Sequence, residues 1–276
     1  MPAPPNSVGS TTCHTVHRDD VAIAVHERGL TGPAVVLLHG LAGSARELLP
    51  TAEALSNAFR VFLIDQRGHG GSTRWPADVS RGAFVADVVA VVEELLPRQR
   101  VHLVGHSMGA HTAFLTAAAR PDLVDHLALL EGHPRGADEE VARRLGEFFE
   151  SWPVPFLDLR AAESFLGATP LARAWIQDLQ HGSDGLRPRF DAEVMERTIA
   201  ATHVPRWSEW ERVTCPTLAV FAEHGMFTPQ EQEELLRRRP GTRRAILAGA
   251  GHDAHLEAFD DWIGVLRDFL EPSGSE

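Results

Sequence analysis

The sequence predicts an α/β protein: a mostly parallel sheet with helices on both faces, interrupted by an inserted helical cap. Three observations point there. Short apolar runs of strand length alternate with longer segments of helical periodicity. That alternation stops across residues 135–210 and then resumes. Finally, Gly105-His106-Ser107-Met108-Gly109 stands between an apolar run and an alanine-rich segment, the setting of a tight turn from strand to helix.

Taken in order, Thr12 to His17 and Val21 to Glu27 read as a pair of strands joined at the turn-forming Asp19-Asp20. Ala34 to Leu38 is apolar throughout, as a strand buried on both faces requires. Arg60 to Ile64 is the next strand, and Arg81 to Leu96 is a helix with apolar positions on one face. Val101 to Val104 is again extended, Ala110 to Ala119 is helical up to Arg120-Pro121, and His126 to Leu130 is a further buried strand. After Cys215-Pro216 come a strand (Thr217 to Ala222), a helix (Gln230 to Arg238), a strand (Arg244 to Leu247) and a closing amphipathic helix (Leu256 to Leu270).

This order implies one core domain made of residues 11–134 and 211–271, with 135–210 inserted as a lid and with 1–10 and 272–276 lacking fixed structure. The inserted segment has helical patterns and turn signals but no convincing strand. Its aromatic residues, Trp152, Phe156 and Trp175 among them, either line an apolar substrate pocket or form a small core of the lid itself.

Composition narrows the partners. With 26 basic against 38 acidic residues the formal charge is −12, which repels nucleic acid and anionic membranes. No stretch is long and uncharged enough to span a bilayer, and residues 1–10 lack the basic and apolar regions of a signal peptide. The two cysteines, Cys13 and Cys215, form neither a metal-ligand spacing nor a disulfide framework. A cytoplasmic protein acting on a small molecule is the expectation; the oligomeric state is left open.

Ser107 is the candidate nucleophile. A serine between a buried strand and a helix sits on a strained turn that pushes its hydroxyl out of the sheet edge, and the flanking glycines leave room for that turn. The helix start adds a positive dipole end that favours developing negative charge. Serine is a poor nucleophile at neutral pH, so a histidine must take its proton.

On these motifs the chain resembles the capped α/β-hydrolase superfamily over nearly everything from Thr12 to Leu270. His39-Gly40-Leu41-Ala42-Gly43 is similar to the family's oxyanion loop, and the resemblance implies that the amides of Leu41 and Met108 hold the charged oxygen. Asp65-Gln66-Arg67-Gly68-His69-Gly70-Gly71-Ser72 resembles a segment that stabilises a loop, so His39 and His69 read as scaffold. Gly249-Ala250-Gly251-His252-Asp253 follows the last strand as the family's base does, which makes His252 the candidate base ahead of His255 and His224. His106, Trp152, Phe156 and Trp175 are the expected substrate contacts.

The third triad member departs from the pattern. Many relatives carry aspartate where Ala222-Glu223-His224-Gly225-Met226-Phe227-Thr228-Pro229 has Gly225. Glycine cannot orient an imidazole, so Glu131, directly after its strand, is the leading replacement; Glu223, or a dyad with no acid, remains open. Certain haloalkane dehalogenases and lactone hydrolases of the superfamily place their acid at the position of Glu131. The resemblance implies hydrolysis of an ester, thioester or lactone through an acyl-enzyme, without cofactor or metal. Serine at the elbow argues against the haloalkane dehalogenase and epoxide hydrolase branches. Two alternatives stand beside this: a non-hydrolytic or carbon–carbon bond-cleaving enzyme on the same frame, and a ligand-binding receptor with slow turnover.

Overall fold

The structure, a computed structural model, describes residues 11–136 and 138–271. The termini expected to lack fixed structure, 1–10 and 272–276, lie outside the described residues. The elements run β1 (Thr12–Arg18), β2 (Val21–Arg28), β3 (Ala34–Leu38), α1 (Leu49–Leu55), β4 (Arg60–Ile64), α2 (Arg81–Leu95), β5 (Val101–His106), α3 (Met108–Ala119) and β6 (Val124–Leu130). Then come α4 (Glu139–Glu150), α5 (Leu159–Leu166), α6 (Pro170–Asp178), β7 (Gln180–Gly182), β8 (Gly185–Arg187), α7 (Ala192–Ala200) and α8 (Trp207–Arg212). The chain closes with β9 (Thr217–Ala222), α9 (Pro229–Arg238), β10 (Thr242–Leu247), α10 (Ala254–Glu257) and α11 (Phe259–Leu270).

Eight strands form one sheet in the order β1-β2-β4-β3-β5-β6-β9-β10. The β1–β2 and β2–β4 pairs are antiparallel and every other pair is parallel. Side chains alternate across a strand, so Val36 and Leu38 enter one apolar cluster with Leu103, Phe114 and Trp210, while Val35 and Leu37 enter another with Leu63, Val104 and Trp262. Helices cover both faces, which is why the central strands read as unbroken apolar runs. The strand order reverses between β3 and β5, and the crevice beyond the carboxyl ends of strands at such a reversal is where open α/β sheets bind ligands.

Between β6 and β9 the described residues add helices and a two-stranded hairpin, β7–β8. The hairpin corrects the expectation of a strand-free segment: three-residue strands are too short to leave a periodic signal. A third apolar cluster, with Phe149, Trp152, Phe156, Leu186 and Phe190, joins this segment to Ala42 and Met108 of the core. Among the described residues no helix is long and apolar enough to cross a membrane.

Candidate active site

The turn between β5 and α3 places Ser107 at φ 52°, ψ −115°, a left-handed conformation that L-residues enter only under constraint. Two close approaches impose it. A Cβ added at Gly105 would lie 2.3 Å from the Gly109 carbonyl oxygen, and one at Gly109 would lie 2.3 Å from that of Leu38. Strand and helix can meet this tightly only over glycine, and the turn between them must then project its side chain outward. The Ser107 amide donates to the Leu130 carbonyl at 2.9 Å, which ties the turn to β6.

His252, in the loop between β10 and α10, brings Nε2 to 3.0 Å from Ser107 Oγ. Its Nδ1 lies 3.3 Å from Glu131 Oε2. Glu131 follows β6 directly, at φ 49°, and its side chain is fully buried. The carboxylate accepts from the Ala222 amide at 2.9 Å and the Met226 amide at 2.7 Å, so the loop after β9 grips it. Glu223 is exposed and accepts from the Gly249 amide at 2.8 Å, while the His252 ring nitrogens bond to Ser107 and Glu131. His255 donates to Glu47 at 2.8 Å and is buried beneath the site; His224 is exposed. Ser107, His252 and Glu131 are therefore the residues brought together.

Met108 opens α3, where no helical carbonyl is available to its amide. Leu41 follows Gly40, and a Cβ at Gly40 would sit 3.5 Å from Ser107 Cβ, so this loop runs beside the serine. Among the described residues neither amide is taken up by a protein acceptor. His39 donates through Nδ1 to the Gly40 carbonyl at 2.7 Å and accepts the Gln66 amide on Nε2 at 3.0 Å. His69 is bonded to the Arg67 carbonyl at 2.9 Å; burial, with His39 beside it, pushes its imidazole down to about 3. Both histidines fix loops, in keeping with a scaffold reading.

The expected substrate contacts need correction. His106 is buried and donates through Nε2 to the His252 carbonyl at 3.0 Å, with its ring packed between those of His252 and His255. Because odd and even residues of a strand face opposite ways, His106 at the end of β5 points under the sheet edge and not into the pocket. Trp152 and Phe156 are 3% and 2% exposed, and with Trp175 they pack against Phe149 and Phe190 as the inserted segment's own core. The pocket that opens on Ser107 is lined instead by Met108, His111, Val141, Ile199, Met226 and Phe227. Of these, His111 carried a readable signal, lying four residues after Ser107 in the first turn of the helix that follows it. Glu47, His106 and His255 bring one ligand atom each within 4.8 Å of one another, but Glu47 and His255 already bond to each other.

The family model described as alpha/beta hydrolase fold matches residues 33–259. The chain is 26% identical to a 2-(acetamidomethylene)succinate hydrolase of Mesorhizobium japonicum, over 91% of this chain and 92% of that protein. It is 29% identical to an sn-1-specific diacylglycerol lipase of Mus musculus (87% and 81%) and 27% identical to an esterase of Escherichia coli (86% and 92%). Among solved structures, E-2-(acetamidomethylene)succinate hydrolase superposes with TM-score 0.87 at 23% identity, covering 95% of this chain and all of that one. An enol-lactonase from Burkholderia xenovorans gives 0.77 at 23% identity over 95% of this chain and 100% of the other. A family match over most of the chain, an elbow serine and a mostly parallel sheet of this order converge: the chain belongs to the α/β-hydrolase fold family.

Proposed function

We propose that the protein is a serine hydrolase that cleaves a carboxylic ester, thioester or lactone of a mainly apolar small molecule through an acyl-enzyme, with residues 135–210 as the cap over its site. The observation that carries this reading is the 3.0 Å approach of His252 Nε2 to the hydroxyl of a serine held at positive φ. Ser107 Oγ attacks the carbonyl carbon while His252 Nε2 takes its proton. Glu131 holds the Nδ1–H tautomer and stabilises the imidazolium that forms. The Leu41 and Met108 amides receive the oxyanion, and loss of one such donor typically costs on the order of 10²-fold or more. His252 returns the proton to the leaving group, then draws one from the water that releases the acid.

The apolar lining by Met108, Val141, Ile199 and Phe227 supports an apolar acyl or alcohol part. The relative named for an acetamidomethylene group favours a second reading, an acyl C–N bond cleaved by the same steps. A fluorophosphonate probe together with 4-nitrophenyl butyrate tests the proposal. Wild type should label and turn over, and Ser107→Ala should lose labelling and about 10⁴-fold or more of kcat. Labelling without turnover of esters or amides would move the reading to non-hydrolytic chemistry; tight ligand binding without labelling would make the protein a receptor.

A further inference from the structure

Among the described residues, no protein group satisfies certain polar atoms of the Ser107 pocket. His111 stands in the first turn of α3, four residues after the Ser107 turn, and both residues line the same pocket. It is 5% exposed and lines the pocket, yet neither Nδ1 nor Nε2 has a hydrogen-bond partner among the described residues. Buried polar atoms are almost always paired, and an unpaired one at a pocket wall marks a place for a ligand.

The groups behind His111 give that place a sign. Arg81 is 3% exposed; its Nη2 donates to the Met108 carbonyl at 3.3 Å and to Thr112 Oγ1, while Nε and Nη1 are unpartnered. Burial, with Arg206 nearby, pushes this guanidinium down to about 9, and no carboxylate pairs with it among the described residues. Arg206 leaves its Nε unpartnered although Nη1 reaches Glu209 at 3.1 Å. Burial and these two arginines hold His111 well below its ordinary value, so the ring is neutral in the empty pocket. The acids nearby are committed elsewhere: Glu131 to the Ala222 and Met226 amides and to His252, Asp138 as an exposed helix cap, and Glu231 to Arg135 at 3.0 Å. A buried positive charge without a counter-ion is costly, and an anion brought by the substrate would relieve it.

We propose that His111, backed by Arg81 and Arg206, is a subsite for a carboxylate carried on the acyl part of the substrate. The inference rests on Ser107 being the nucleophile. Ser107 and His111 line one pocket, and a carboxylate three or four bonds from the reacting carbonyl is the reach the subsite is tested with. The neutral imidazole donates one N–H to that carboxylate, and the two guanidinium groups supply the opposing field.

Mono-4-nitrophenyl glutarate and 4-nitrophenyl valerate have five-carbon acyl chains that differ in the terminal carboxylate, so their kcat/KM ratio reads the subsite. The ratio should favour the glutarate ester by about tenfold or more, the range of a hydrogen bond to a charged group, and should fall toward one in His111→Leu. Circular dichroism and the thermal midpoint of that variant report its fold. Glutarate binding, followed by calorimetry, should likewise weaken in His111→Leu. An equal or reversed ratio in wild type, or an equal loss on both esters in the variant, overturns the subsite. Glutarate binding that depends on His111, with neither ester cleaved, would uphold the subsite and sink the ester reading; no cleavage and no binding would sink both.

Discussion

Gly225 and Glu131 compete for one volume. A Cβ at Gly225 would lie 2.3 Å from Glu131 Oε1 and 2.5 Å from Oε2, so any side chain at 225 displaces the carboxylate. In the proposed mechanism the acid enters from β6, and its carboxylate fills the space that a side chain at 225 would need. Glu131→Gln should lower kcat by about 10³–10⁴-fold on 4-nitrophenyl butyrate with circular dichroism unchanged, since the amide cannot stabilise the imidazolium. Gly225→Asp alone should be as damaging, because two carboxylates cannot share the site. Glu131→Ala/Gly225→Asp should recover part of the loss by returning the acid to the loop after β9. A double variant no better than its parents would show that the two positions do not exchange this role. The elbow, the histidine and the vacancy at 225 were all legible in the sequence, because each is a local spacing. That Glu131 fills the space beside Gly225 was not, since it depends on an approach between residues 94 positions apart. The same limit governs His106: its place in the motif is local, while its contact with the His252 carbonyl is not.

At the scale of elements, the loop after β4 is tied to α2 by a buried ion pair. Arg67 donates from Nε to Asp87 Oδ2 at 2.6 Å, from Nη2 to Oδ1 at 2.7 Å and from Nη1 to the Asp78 carbonyl at 2.6 Å. Arg18 reaches the same carboxylate from β1 at 2.8 Å. The fork of Arg67 matches the carboxylate, and both partners are buried, so Asp87→Ala leaves an uncompensated charge worth about 3–5 kcal/mol. Urea unfolding should show that loss, and Arg67→Met/Asp87→Leu should lose less because no charge is stranded. A single variant within about 1 kcal/mol of wild type would mean that water reaches Arg67 and the pair is a surface one. The mostly parallel sheet and the paired strands at its start followed from apolar runs and their spacing, while the order of the strands in the sheet did not. The seven-residue α1 did not, since Leu49–Leu55 is too short to display a helical period, and β7–β8 failed for the same reason.

For the whole molecule, buried neutral histidines set the response to acid. Burial lowers His69 to about 3 and His102 to about 4, and drives His106 and His111 well below the ordinary 6.5. As pH falls below 6.5 the unfolded chain binds protons that the folded chain refuses, so each group removes about 1.4 kcal/mol per pH unit until its folded value is reached. The stabilisation is therefore complete above 6.5 and drains away toward pH 4. Asp65 and Glu27, held below their ordinary range in the folded state, extend the loss at lower pH, whereas Asp178 and Asp253, raised by burial, work in the opposite sense. Comparing a variant with wild type isolates one histidine from these. His102 lies on β5 away from the Ser107 pocket, with Asp125 Oδ2 3.7 Å from its Nδ1, so His102→Gln should flatten the fall in unfolding free energy between pH 6.5 and 5 by about one proton. Parallel curves for the two proteins would show that His102 takes up its proton in the folded state, and that its burial does not set the acid limit.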